Sequence, residues 1–401
     1  MIFCWGNSNA KVGGLIRRFE FTIPLFLMSE FLAPPVWVNT DQSLRKMLAD
    51  LSSQPRIAVD TESNSLHAYR ERVCLIQFST PKHDYVVDPF AFSDLRPLAP
   101  IFNDKKIEKI FHASEYDLIC LKRDYDFEFR NLFDTMQAAR VLGYPAVGLD
   151  TLLAEKFQMK IDKRHQKADW GARPLTSAQI DYARQDTHYL FLLRDLMETE
   201  LREKDRWELA LEDFARACKV DDAKEKLNGS SWKRFGSRKG VSLRELTVLS
   251  ALCHSRDHIA EKLDRPPFKV IDDNLLLEIA KRMPEKDVDL ADIGLSTKQI
   301  RLWGGEMLAA AKRGAAAPLV KLDQPKRPSD AVLRRVEKLK AWRKKVAQEL
   351  KVESDIVLPK LYLGLFAENP PKSLHELEAA MKDSPRRFQI YGAQILGLFG
   401  G

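Results

Sequence analysis

Three separated stretches of this chain carry acidic side chains at positions where they could share a ligand. Asp60 and Glu62 stand two apart at the end of the apolar run Arg56-Ile57-Ala58-Val59-Asp60-Thr61. Asp117 follows Phe111-His112-Ala113-Ser114-Glu115-Tyr116, and Tyr182 and Asp186 stand four apart in a helix-forming segment. Carboxylates packed together hold one another toward the protonated form unless cations sit among them. Oxygen donors of this kind suit Mg²⁺ or Mn²⁺ rather than zinc. Two such ions, about 3.5–4 Å apart, can clamp the attacking and leaving oxygens of a phosphodiester in line. One ion acidifies the attacking water and the other steadies the departing 3′ oxygen. Tyr182, beside that face, can orient the water or the scissile phosphate. Singly, each signal has a plainer reading. Asp-x-Glu is common, a Tyr four before an Asp is usually just packed, and Asp117 alone would be a helix-face acid. Their order and spacing carry the weight.

The elements that must position these residues are legible in outline. Asn39-Thr40-Asp41 offers a helix N-cap, and Leu44, Met47, Leu48 and Leu51 recur at helical spacing. Residues 56–61, 73–79, 85–87 and 109–111 have strand patterns, and residues 95–102, 115–122, 135–142 and 149–157 have helical ones. This alternation predicts an α/β domain with a mixed sheet. A strand sends residues i and i+2 to one face, roughly 6.5 Å apart, so the carboxylates of Asp60 and Glu62 can converge. Residues 177–195 read as one long amphipathic helix, which puts Tyr182 and Asp186 on one side of it.

The same residues carry a family resemblance. Val59-Asp60-Thr61-Glu62, His112-Ala113-Ser114-Glu115-Tyr116-Asp117 and Asp181-Tyr182-Ala183-Arg184-Gln185-Asp186 resemble the three exonuclease motifs of the DEDD superfamily. The tyrosine four before the last aspartate marks its DEDDy branch. Leu66-His67-Ala68-Tyr69-Arg70 with Val73-Cys74-Leu75-Ile76-Gln77 is similar to the stretch after the first motif. Asp169-Trp170-Gly171-Ala172-Arg173-Pro174-Leu175 is similar to the segment before the third motif in ribonuclease D. The likeness spans about residues 37–205. It implies a ribonuclease H-like sheet and 3′→5′ exoribonuclease activity releasing nucleoside 5′-monophosphates. It further implies two divalent ions (Mg²⁺ or Mn²⁺) held by Asp60, Glu62, Asp117 and Asp186, with Tyr182 near the attacking water. Leu66, Gln77 and Arg173 are the expected RNA contacts, Leu66 as a wedge against the terminal base.

Several neighbours have bland readings. Asp134 precedes a helix and reads as an N-cap. His112 reads as a packed residue at a strand end, and His188 as structural. Lys163 is either a phosphate contact or simply solvated, and contact is favoured slightly for Arg173 only.

The second half of the chain is helical and basic. Residues 1–200 hold 25 Lys and Arg against 27 Asp and Glu, whereas residues 201–401 hold 39 against 30. Such asymmetry fits a polyanion held by the C-terminal part; a solvated helical surface would look the same. Residues 231–240 cluster Lys233, Arg234, Arg238 and Lys239 with Trp232 and Phe235, Trp232 reading as core. Arg334, Arg335, Lys338, Lys340, Arg343, Lys344 and Lys345 line an amphipathic helix whose apolar side is Leu333, Val336, Leu339, Trp342 and Val346. Both regions resemble HRDC domains, the first at Leu249–Ala260, Asp264-Arg265-Pro266-Pro267 and Asp273-Asn274-Leu275-Leu276. Where that family usually has Trp-Arg, the first region has Ser255-Arg256; the second keeps Trp342-Arg343 and ends on Tyr391-Gly392.

The expected architecture is therefore an α/β exonuclease domain at 28–215, an HRDC-like helical domain at 230–314, a linker at 315–329 containing Pro318, Pro325 and Pro328, and a second HRDC-like domain at 330–401. Residues 1–27 are expected to be a non-native or disordered extension, since Met28-Ser29-Glu30 reads as a natural start. With 45% hydrophobic and 30% charged residues the chain belongs among folded, water-exposed proteins, and no stretch reaches the length of a membrane span. Cys4, Cys74, Cys120, Cys218 and Cys253 are scattered, without any C-x-x-C pair. That argues against a disulfide framework and a zinc site and fits a cytoplasmic protein. The expected partner is RNA, in particular tRNA precursors with 3′ extensions. Rival readings are a DNA 3′→5′ exonuclease and a non-catalytic RNA-binding scaffold.

Overall fold

A computed structural model describes residues 33–219, 230–236, 240–322 and 328–399. Residues 1–27, Arg238, Lys239 and Pro325 lie outside the described residues.

The α/β part is built on six strands in the order β1-β4-β3-β2-β5-β6. They are β1 (Val36–Val38), β2 (Arg56–Ser63), β3 (Val73–Ser79), β4 (Asp84–Val87), β5 (Glu108–Phe111) and β6 (Leu132–Asp134). β2 pairs antiparallel with β3 and parallel with β5, so the sheet is mixed, as the sequence predicts. Helix α1 (Asp41–Ser53) starts on a Thr40/Ser43 capping box and buries Leu44, Met47 and Leu51. Between β4 and β5 the chain forms α2 (Ala99–Asn103), shorter than the expected 95–102 helix because the Arg96-Pro97 turn interrupts it. There follow α3 (Glu115–Tyr125), α4 (Thr135–Leu142), α5 (Leu149–Phe157), α6 (Ser177–His188), α7 (Leu190–Glu203) and α8 (Trp207–Ala217). The expected single helix over 177–195 is broken at Tyr189. The break lets α6 turn Tyr182, Ala183 and Thr187 inward while α7 sends Leu190, Leu193, Met197 and Leu201 into the main core.

Two helical regions follow, each with its own buried core. The first opens with α9 (Leu243–Lys262), the second with the helix Asp330–Leu350. Their internal wiring matches. Arg256 donates to the Ile271 carbonyl and Arg343 to the Leu358 carbonyl, in each case from the long first helix to the turn that ends the short helix after it. Arg256 thus does the anchoring work without the tryptophan that precedes Arg343. Trp232 is buried, as expected. The expected linker begins later than the sequence suggested: the helix Gly305–Ala316 runs on through its alanines and stops before Pro318.

Both regions are fastened to the α/β part. Arg387, fully buried, donates to Glu212 and Asp213 on α8 and twice to the Ile356 carbonyl. Tyr69, in the β2–β3 loop, is buried in the core of the first helical region, and its backbone N–H donates to Asp264.

Candidate active site

The Asp60 and Glu62 carboxylates leave β2 just before a register shift between Glu62 and Ser63 that ends regular pairing. Helix α6 begins on a Thr176/Gln179 capping box and packs its Tyr182–Asp186 side toward the same place. Asp60, Glu62 and Asp186 each offer an oxygen within 4.8 Å of the other two. Asp117 enters from the first turn of α3, where the Thr61 hydroxyl donates to it. The turn that delivers it is tight: Ala113 has φ +62°, and Asp134 accepts from the Ala113 and Ser114 backbones and from the Ser114 hydroxyl. Asp134 also caps α4 through Met136 and Gln137, so the expected N-cap doubles as the shaper of this turn.

The clustered carboxyls disfavour one another's charged forms. Burial raises the Asp60 carboxyl, and Asp186 beside it raises it further. Glu62 is raised by burial and then by Asp60, Asp186 and Asp117. Asp117 is raised by burial and by Asp60, against the Thr61 hydrogen bond, and Asp186 is pushed up to about 7 by burial and by Asp117. An all-oxygen donor set under this strain fits hard divalent ions, which would relieve it.

Tyr182 is buried, its ring centroid 5.9 Å from that of Trp170. Burial, then the neighbouring Asp186, Glu62 and Asp60, hold its hydroxyl well above the usual range, so it remains a proton donor. Trp170 is in turn fixed by Arg173, and here two expectations need correction. Arg173 was expected to meet RNA. Instead all five of its N–H groups are used within the fold, on Asp88, on the Cys74, Trp170 and Ala172 carbonyls, and again on Asp88. Gln77 was also expected to meet RNA, but its side chain has no exposed surface. Leu66 is 40% exposed and free to touch a ligand.

A cleft of about 270 Å³ opens over Asp60, Tyr182 and Asp186 and is also lined by His112, Lys163 and Gln166. Lys163, 57% exposed and paired with Asp150 at 2.6 Å, lines this cleft, whereas Arg173 does not. His112 accordingly borders the cleft while its Nδ1 is held by the Thr135 hydroxyl at 2.9 Å; burial lowers its pKa. No local pattern marked Gln166, since its neighbours Arg164 to Lys167 look uniformly solvated. His188 pairs with Asp84, the structural role expected of it. Two larger clefts, of about 600 and 790 Å³, lie between α8 and the second helical region and contain none of the four acids.

A family model described as a 3′-5′ exonuclease matches residues 35–202, and the HRDC domain model matches twice, at 245–310 and 332–398. The solved catalytic core of RRP6 from Trypanosoma brucei covers 72% of this chain and 81% of its own, with a TM-score of 0.61 and 27% identity. Residues 35–202 thus match a 3′-5′ exonuclease family, and two HRDC matches follow them. The chain also superposes on Escherichia coli RNase D over 91% of this chain and 98% of that one, with a TM-score of 0.65; at 24% identity this speaks to fold alone. Protein RRP6-like 2 of Arabidopsis thaliana is 36% identical over 264 residues, 63% of this chain, and the chain spans only 30% of that relative's length. Asp60, Glu62, Asp117, Asp186 and Tyr182 all fall inside the exonuclease match.

Proposed function

We propose that the chain is a 3′→5′ exoribonuclease that hydrolyses RNA one nucleotide at a time, releasing nucleoside 5′-monophosphates. The observation that carries this is the convergence of Asp60, Glu62 and Asp186 within 4.8 Å beneath the buried Tyr182. Asp60, Glu62, Asp117 and Asp186 would hold two ions, Mg²⁺ or Mn²⁺. Bound there, such ions supply charge for the attacking and leaving oxygens. The chain's own contribution is to orient. Tyr182, braced by Trp170, donates its hydroxyl toward the reacting phosphate or water, Lys163 meets a phosphate at the cleft rim, and Leu66 packs against the terminal base. A cleft this small admits one splayed nucleotide, which favours single-stranded 3′ ends.

The catalytic domain is assigned to residues 28–215, and the helical domains to 230–316 and 330–401, joined by 317–329. Arg334, Lys338, Lys344 and Lys345 are exposed along the Asp330–Leu350 helix and give the polyanion-holding face. Escherichia coli RNase D is described as an exoribonuclease involved in structured RNA processing. By the resemblance of the sequence motifs to ribonuclease D, 3′-extended tRNA precursors are the proposed substrate. Among the described residues no helix is long and apolar enough to cross a membrane, and Cys74, Cys120, Cys218 and Cys253 are free thiols, which supports a cytoplasmic location.

Incubating a 3′-extended tRNA with and without Mg²⁺, beside Asp186→Ala, tests the activity. Stepwise shortening that needs Mg²⁺ and vanishes in the variant is expected; equal shortening in both refutes it. An RNA and a DNA oligonucleotide of one sequence decide between nucleic acids, and the 2′-OH should favour RNA. Metal-independent RNA binding with no product would instead mark a scaffold.

A further inference from the structure

Gln77 lies at the middle of β3, directly opposite Asp60 in the antiparallel pair with β2 and opposite Val86 on β4. By the period of the strand it shares a sheet face with Leu75 and Ser79. Ser79 touches the Thr187 hydroxyl on α6 at 2.7 Å, and Leu75 packs in one cluster with Tyr182 and Ala183 of the same helix. Gln77 is therefore enclosed between β2, β4 and α6, at the level where Asp60 and Asp186 meet. Its side chain is 0% exposed, and among the described residues neither its amide nitrogen nor its amide oxygen has a hydrogen-bond partner. The next polar position on that face behaves otherwise: Ser79 bonds to both Asp84 and Thr187.

An amide buried without partners costs the fold its desolvation, about 1–3 kcal/mol. Among Leu75, Val86 and Ala183, a leucine would pack without that cost. A group retained at such a cost needs a partner in another state of the molecule. The nearest candidate is across the strand pair, where directly opposed Cβ atoms stand roughly 4.5–5.5 Å apart. Carboxylates that hold metal ions are themselves steadied by outer hydrogen bonds. Asp117 has such a bond from Thr61, whereas among the described residues Asp60 has only a backbone hydrogen bond at Thr61.

We propose that Gln77 is a positioning residue for the metal site: its amide N–H donates to the Asp60 carboxylate when divalent ions are bound and fixes that carboxylate as a ligand. This role rests on the metal-site reading above. It replaces the expected RNA contact with an indirect function in the same reaction.

The test is Mn²⁺ binding to the full chain by titration calorimetry, comparing the unsubstituted protein with Gln77→Leu, Gln77→Met and Asp186→Ala. Both Gln77 variants should bind Mn²⁺ about 10-fold or more weakly, the usual cost of losing an outer partner. Their metal-free melting temperature should stay level or rise, and their cleavage rate should recover as Mn²⁺ is raised. Gln77→Met keeps an unbranched stem of similar length and decides the matter if Gln77→Leu does not fold. Unchanged Mn²⁺ affinity in the folded variants overturns the proposal and leaves the metal site standing. Failure of the unsubstituted chain to bind Mn²⁺ in an Asp186-dependent way removes the site and the proposal together.

Discussion

Asp186 is the carboxylate whose surroundings are most readily tested in solution. Its pKa is pushed from 3.8 up to about 7, by burial first and by Asp117 second. An acid whose folded-state pKa lies above its unfolded one binds its proton more tightly in the fold. It therefore favours the fold fully at low pH, and that contribution is lost as pH rises from about 4 through about 7. The metal-free chain should lose thermal stability across this window, and Asp186→Asn, which has no proton to give up there, should lose less. Mg²⁺ or Mn²⁺ should restore the unsubstituted chain by binding the ionised carboxylates. Calorimetry at about pH 5 and about pH 8 reads both effects; an identical pH response in Asp186→Asn would contradict them. Tyr182→Phe is the second test at this scale. It keeps the ring against Trp170 and removes only the hydroxyl, so cleavage should slow by about 100-fold with little change in melting temperature. An unaltered rate would show that the hydroxyl does no orienting.

At the scale of elements, what was legible in the sequence is what is local. The period of β2 sends Asp60 and Glu62 to one face, and the helical spacing of Tyr182 and Asp186 sends both to the other side of the same cleft. The delivery of Asp117 was not legible, because it depends on the Ala113 turn being held by Asp134, a residue 20 or so positions away in another element. Arg173 was misread for the same reason. Its partners Asp88 and Cys74 lie 85 and 99 residues earlier, and nothing in its own neighbourhood announces them. The bend at Tyr189 was hidden because the apolar period continues through it while the packed face changes. Arg173→Lys makes this concrete. An ammonium cannot reproduce the planar fork that spans Asp88 and three carbonyl groups. It should cost about 1–3 kcal/mol in urea unfolding, with the salt dependence of RNA binding unchanged. A normal unfolding curve with weakened RNA binding would return Arg173 to the role first expected of it.

For the whole molecule the question is where a nearly neutral α/β half would find the grip on RNA that the proposed function needs. The basic excess lies in residues 201–401, and the second helical region is pinned to α8 by the buried Arg387 cluster, so its charged face is carried on a fixed body. Lys338→Glu combined with Lys345→Glu should weaken RNA binding without altering the metal site. Each phosphate contact removed should lower the slope of log affinity against log salt by about 1. An unchanged slope would place the RNA path elsewhere on the molecule.

Everything functional depends on whether the clustered acids take divalent ions. The most direct measurement is anomalous diffraction from crystals soaked in Mn²⁺. Strong peaks bounded by Asp60, Glu62, Asp117 and Asp186, absent from crystals of the Asp186→Ala chain, are predicted. Density only at surface carboxylates, with the cluster left empty at saturating Mn²⁺, would contradict the account.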